Sequence, residues 1–185
     1  AQSRASADPT EPAENTTGKY QVGDRVEASK TPVDDGGART VEWDDLVPES
    51  YDPYVILEGA NLDAMEDNDP RANALLEELK ASWANAPVVD AMDGQRIRIP
   101  GFIVPLEGDE KNVNEMLLVP YFGACIHVPP PPSNQIIHVP EMPPVNRDIV
   151  YEAVWVEGTL HTQRAETEAG AASYSLKADS VTLYE

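Results

Sequence analysis

Apolar positions recur along the chain in two different periods, and the change between them falls near Gly94. Upstream, Leu75, Leu76, Leu79 and Trp83 recur at spacings of three and four, the stripe of an amphipathic helix. Asp69 is placed to cap its N-terminus. Pro70 suits the first turn, where its missing N–H is not needed, and Pro87 ends the segment. Downstream the period becomes two. In QRIRIPGFIVPLE, Ile97 and Ile99 alternate with Arg96 and Arg98, and Pro100-Gly101 predicts a bulged bend before a second apolar piece. EMLLVPYF predicts a further strand after the polar loop EGDEKNVN. In YEAVWVEGTLHTQ, Val154, Val156 and Leu160 share the core face while Trp155, Glu157 and His161 point away. ASYSLKADSVTLYE puts Tyr174, Leu176 and Ala178 on one face, and CIHV and IIHV supply two short pieces.

These runs predict a mainly β fold: a small antiparallel Greek-key barrel resembling an OB-fold, with one short helix and an irregular N-terminal arm. The phrases RIRIPGFIVPL and VWVEGTL match the first and fourth strands of such a barrel. The expected organisation is a flexible leader at 1–38, an arm plus helix packed on the barrel at 39–93, and the barrel carrying the site at 94–185. Within the arm, Trp43, Leu46, Val47 and Tyr54 are the apolar anchors.

Composition narrows the function. At 185 residues and 41% hydrophobic content the chain can bury one good core, and its 17 prolines favour turns and short strands. A net charge of -20 excludes nucleic acid and anionic lipid as partners, since both demand a basic surface. The excess is heaviest in residues 1–93, with 21 acidic against 7 basic side chains. No apolar stretch approaches the ~20 residues of a membrane-spanning helix, so no direct membrane insertion is expected. The opening AQSRASADPTEPAENTTGKYQ, small and polar, reads as the linker after a removed signal peptide or a lipid-anchored terminus. It predicts a periplasmic or exported location.

The single cysteine, Cys125, excludes an intramolecular disulfide, and an exposed thiol in an oxidising compartment is a liability. His127 lies two residues on, and His138 follows the proline run Pro129–Pro132. If CIHV and IIHV pair as antiparallel strands around PPPPSNQ, His127 faces His138, and the pleat puts Cys125 beside His127. One thiolate and two imidazoles then form a three-donor site for zinc, with copper as the alternative. Tyr121, Asn134 and Gln135 would shape its rim. A one-residue register slip would turn His138 away. Two other readings stay open: a thiol-dependent enzyme in which His138 activates Cys125, and an interaction module that presents Tyr121, Phe122 and the stiff proline loop to a partner. His161 is out of phase with the cluster and is expected to be a surface histidine.

The run GFIVPLEGDEKNVNEMLLVPYFGACIHVPPPPSNQIIHV, with the upstream WDDLVP, resembles a family of exported bacterial proteins and lipoproteins known as a domain of unknown function. The family motif is met at Gly101, Phe102, Pro105, Leu106, Pro120, Tyr121, Cys125, His127, Pro129, Pro130, Asn134 and Gln135. The resemblance implies an accessory role in metal handling or envelope transport, with a membrane transporter component as partner. The family's lipid-accepting cysteine has no counterpart at the start of this sequence. Taken together, the sequence predicts a periplasmic transition-metal-binding accessory protein with Cys125, His127 and His138 as ligands.

Overall fold

The computed structural model describes residues 19–28, 37–60, 64–66 and 68–185. Its elements are β1 (Arg39–Thr40), α1 (Pro70–Ala84), β2 (Arg96–Gly108), β3 (Asn112–Val119), β4 (Ile137–Glu141), β5 (Val145–Asn146), β6 (Ala153–His161), β7 (Ala165–Thr167), β8 (Gly170–Ala172) and β9 (Tyr174–Leu183). Among the described residues the fold is mainly β, with a closed barrel of five strands and one α-helix. Around the barrel the order is β2-β6-β9-β4-β3, and a β2–β3 pairing closes it. All these pairs are antiparallel except β4–β9. β1 adds to β2, β5 adds to β3, and β7 and β8 form a separate hairpin.

Closure depends on the length of β2. Its first half pairs with β6 and its second half with β3, so that Phe102 faces both Ala153 and Val119. Gly101 sits where the strand passes from one partner to the other. A Cβ there would lie 2.8 Å from the Val119 carbonyl oxygen and 3.0 Å from Leu118. The strand runs unbroken through Pro100-Gly101, and the register shifts come later, between Pro105 and Gly108. The expected bulge is therefore displaced: at Gly101 the lack of a side chain allows the bend without an extra residue.

Period-two patterning places the core correctly. Ile97, Ile99, Val154, Val156, Leu160, Tyr174 and Leu176 are all fully buried in one cluster with Met116, Leu118, Ile137 and Val139. The arm contributes Trp43 and Leu46 to the same cluster, and the Trp43 indole donates to the Pro100 carbonyl at 2.7 Å. Tyr54 does not join them; it is exposed and packs edge-on against Trp83 at 5.7 Å. Trp155, outside the barrel, is covered by the Arg98 guanidinium 4.0 Å from its ring centre.

A second apolar cluster lies outside the barrel, where Phe102, Val104, Leu117 and Val119 meet Ala124, Ile136 and Ala172. Part of its cover comes from within the expected leader. Residues 19–28 lie against the 121–125 turn: Gly23 N–H donates to the Phe122 carbonyl and Phe122 N–H to that of Asp24, both at 2.9 Å. Tyr20 meets Phe102 edge-on at 5.1 Å. This strap is ordered because its apolar side chains complete a cluster that the barrel leaves open; residues 1–18 and 29–36 of the expected leader lie outside the described residues.

Helix α1 begins as expected, with the Asp69 carboxylate accepting from Arg71 N–H at 2.8 Å. Its apolar stripe is only partly covered. Leu79 is buried, whereas Leu76 is 47% exposed.

The close approach at Gly101 makes a direct test. Gly101→Ala is expected to cost about 1–3 kcal/mol by overpacking, measured by urea unfolding, with Tm falling about 2–4 °C for each kcal/mol lost. An unchanged midpoint would show that the strand can bend with a Cβ in place.

Candidate functional site

The 120–136 connection joins β3 to β4 and carries nearly all the predicted site residues. Its first part is not a strand. Gly123 and Cys125 both take left-handed backbone conformations, with φ of 82° and 64°, and this winds the chain into consecutive turns. The Gly123 carbonyl accepts from the N–H groups of Ile126, Val128 and, at 2.8 Å, His127. Cys125 and His127 therefore do not share one face of a pleated strand, as the sequence had suggested.

The facing of His127 and His138 fails for a second reason. β4 lies inside the barrel wall with both edges occupied: His138 pairs with Leu117 of β3 and with Ser175 of β9. No edge is left for the Cys125 segment. Instead the His138 Nε2 lies 2.6 Å from Glu115 Oε1, a diagonal neighbour on the outer face of β3. His127 is exposed on its turn, and His161 is a surface residue 3.5 Å from Asp93. Among the described residues, no group of three or more His, Cys, Asp or Glu is placed to hold a metal ion. The donors Cys125, His127 and His138 thus do not fit a zinc or copper site in this arrangement.

Cys125 itself is half-buried against the outer apolar cluster, and burial pushes its thiol up to about 11. Nucleophilic attack and metal ligation both need the thiolate, which this setting disfavours.

The second part of the connection is fixed by polar groups. Ser133 Oγ accepts from Ala86 N–H at 3.1 Å and lies 2.6 Å from the Ser173 hydroxyl. Asn134 Nδ2 donates to the Pro87 carbonyl at 2.9 Å, and Gln135 Nε2 donates to that of Trp43 at 2.8 Å. Three consecutive side chains tie the loop to the segment after α1, to the arm, and to the start of β9. Sequence reasoning assigned Asn134 and Gln135 to a rim, and missed Ser133 and Ser173; a polar triplet following four prolines was the available signal.

This latch holds Pro129–Pro132 between two clefts. One, of about 590 Å³, lies between the proline run and α1, lined by Leu76, Leu79, Lys80, Trp83, Pro129, Pro130 and Pro131. The other, of about 520 Å³, brings together the three expected rim residues Tyr121, Asn134 and Gln135 with Arg25, Asp44, Glu49, Tyr51, Tyr54 and Trp83. Trp83 and Pro131 belong to both. Volumes of this size suit a small ligand or a few side chains of a partner.

Three outcomes follow. At neutral pH a thiol at about 11 holds roughly a hundredfold less thiolate than one at the ordinary 9.0, so iodoacetamide should modify native Cys125 about a hundredfold more slowly than urea-unfolded chain. Equal rates would contradict the burial argument. Because the folded value is the higher one, this group's contribution to stability is complete below pH 9 and is lost as pH rises towards 11. Gln135→Leu leaves the buried Trp43 carbonyl without its donor and should cost about 1–3 kcal/mol in urea unfolding; no change would remove Gln135 from the latch.

The comparisons bear out the resemblance to a domain of unknown function. The model of a family described as "Protein of unknown function (DUF3299)" matches residues 43–183. A crystal structure of a DUF3299 family protein from Pseudomonas aeruginosa PAO1 is 44% identical, covers 81% of this chain and 98% of its own, and superposes with a TM-score of 0.62. No curated protein matches the chain. With the barrel, the arm from Trp43 and the whole 120–136 connection inside the matched region, the chain belongs to the DUF3299 family.

Proposed function

We propose that this protein is an interaction module, a barrel of the OB type whose proline run and helix α1 hold an apolar, basic-flanked segment of a partner protein. The barrel type is supported by the way the first and fourth barrel strands, β2 and β6, pair while the third and fifth, β4 and β9, run parallel. The observation that carries the binding role is the α1 cleft. Leu76, Trp83 and the prolines form an apolar wall that no described segment of the chain covers. An apolar groove between a helix and a stiff, pre-extended loop costs little ordering entropy when a partner enters it.

The partner's basic character follows from charge. The chain carries 33 acidic against 13 basic side chains, so a segment with Lys or Arg beside its apolar residues is attracted and an acidic one is repelled. The setting proposed with this role is the periplasm, beside a membrane transporter component; its support is the resemblance carried by the 101–139 motif. Among the described residues no helix is long and apolar enough to cross a membrane.

Selection from a library of random displayed dodecapeptides tests the reading. The full chain should enrich sequences that combine apolar residues with Lys or Arg, and Leu76→Asp should weaken their binding at least tenfold while leaving thermal unfolding unchanged. Absence of any consensus, or equal binding by Leu76→Asp, would overturn the proposal.

A further inference from the structure

The cleft on the other side of Trp83 differs in chemistry from the apolar groove. Its walls are the rings of Tyr51, Tyr54, Trp83 and Tyr121, and its polar groups include the carboxylates of Asp44 and Glu49. Asn134 also lines it and is fully buried. Its Nδ2 is committed to the Pro87 carbonyl, while its Oδ1, like the buried Tyr51 hydroxyl at the same cleft, has no hydrogen-bond partner among the described residues. A buried amide oxygen without a donor is destabilising. What such an oxygen lacks is an N–H or O–H. Aromatic faces, carboxylates and an acceptor-only amide are together the complement of a cationic donor.

The structure already shows one cation at this wall. The Arg25 guanidinium of the 19–28 strap stands 5.4 Å from the Tyr121 ring centre, and Arg25 lines the cleft. Tyr121 thus accepts a guanidinium on its face from within the chain.

We propose that this cleft is a recognition pocket for the ammonium or guanidinium group of a partner's basic side chain, with Arg25 as the intramolecular competitor at its mouth. The inference rests on the interaction-module reading and deepens it: the groove along α1 takes apolar residues, and the aromatic cleft across Trp83 and Pro131 reads the adjacent charge. The negative charge of the chain draws the basic group in, while the rings and the carboxylates of Asp44 and Glu49 select it over a neutral one.

Titration of the full chain with N-acetyl-lysine amide, N-acetyl-arginine amide and the neutral N-acetyl-norleucine amide, followed by NMR of the Trp83 indole and Asn134 side-chain amide signals, tests it. Both basic probes should shift these signals saturably, at least fivefold more tightly than norleucine amide. The double variant Asp44→Asn, Glu49→Gln should weaken them about fivefold or more. Arg25→Ala should tighten them, an effect that damage to the fold would not produce. Equal affinity for norleucine and lysine amides, or indifference to both variants, would overturn the cationic pocket. Peptides selected at the apolar groove but lacking any Lys or Arg requirement would do the same while leaving the groove intact; loss of all peptide selection would instead remove the groove.

Discussion

The arrangement of the surface depends on three buried polar side chains that spend their hydrogen bonds on the backbone of other segments. Ser133, Asn134 and Gln135 bind Ala86, Pro87 and Trp43, and Ser173 N–H adds a bond to the Ser133 carbonyl at 2.8 Å. Buried backbone groups must be paired, and here loop side chains pair those of the arm and of the segment after the helix. The same bonds therefore position the proline run, dock α1 beside it and fasten the arm to the barrel. Tyr174 reinforces the arrangement from inside the core, donating its hydroxyl to the Leu46 carbonyl and accepting from Val89 N–H.

With the loop held in this way, the helix cannot bury its whole stripe. Leu79 reaches the protein, while Leu76 and one side of Trp83 are left facing the prolines across a cleft. The two clefts share their central wall, so a segment lying across it would meet an apolar surface on one side and aromatic rings with carboxylates on the other. The 19–28 strap borders the second cleft through Arg25 and also closes the outer apolar cluster through Tyr20. Fold stability and access to the cleft are thereby linked through one short segment.

Much of the barrel was legible because strand residues that alternate between core and solvent leave a period of two. Val154, Val156 and Leu160, and Tyr174 and Leu176, were placed correctly for that reason. The helix and its cap followed equally from local rules. The site was less legible. CIHV has the composition of a strand, but the left-handed backbone at Cys125, uncommon for a residue with a side chain, turns it into a coil that composition does not announce. His138 reads as a ligand until its strand is seen to have neighbours on both edges, a property of topology and not of local sequence. The contacts that fix the 120–136 connection come from the polar triplet behind the prolines and not from the thiol and imidazoles that the sequence brought forward.

In the proposed role, the face formed by α1 and the proline run engages one segment of one partner. The most direct measurement is site-specific photo-crosslinking in cells, with a photoreactive phenylalanine analogue at position 76 and, as control, at the exposed Lys111 between β2 and β3. The proposed role requires crosslinks from position 76 that mass spectrometry maps to a single apolar, basic-flanked segment, with none from position 111. Equal crosslinking at both positions, or crosslinks from position 76 scattered over many unrelated proteins, would contradict it.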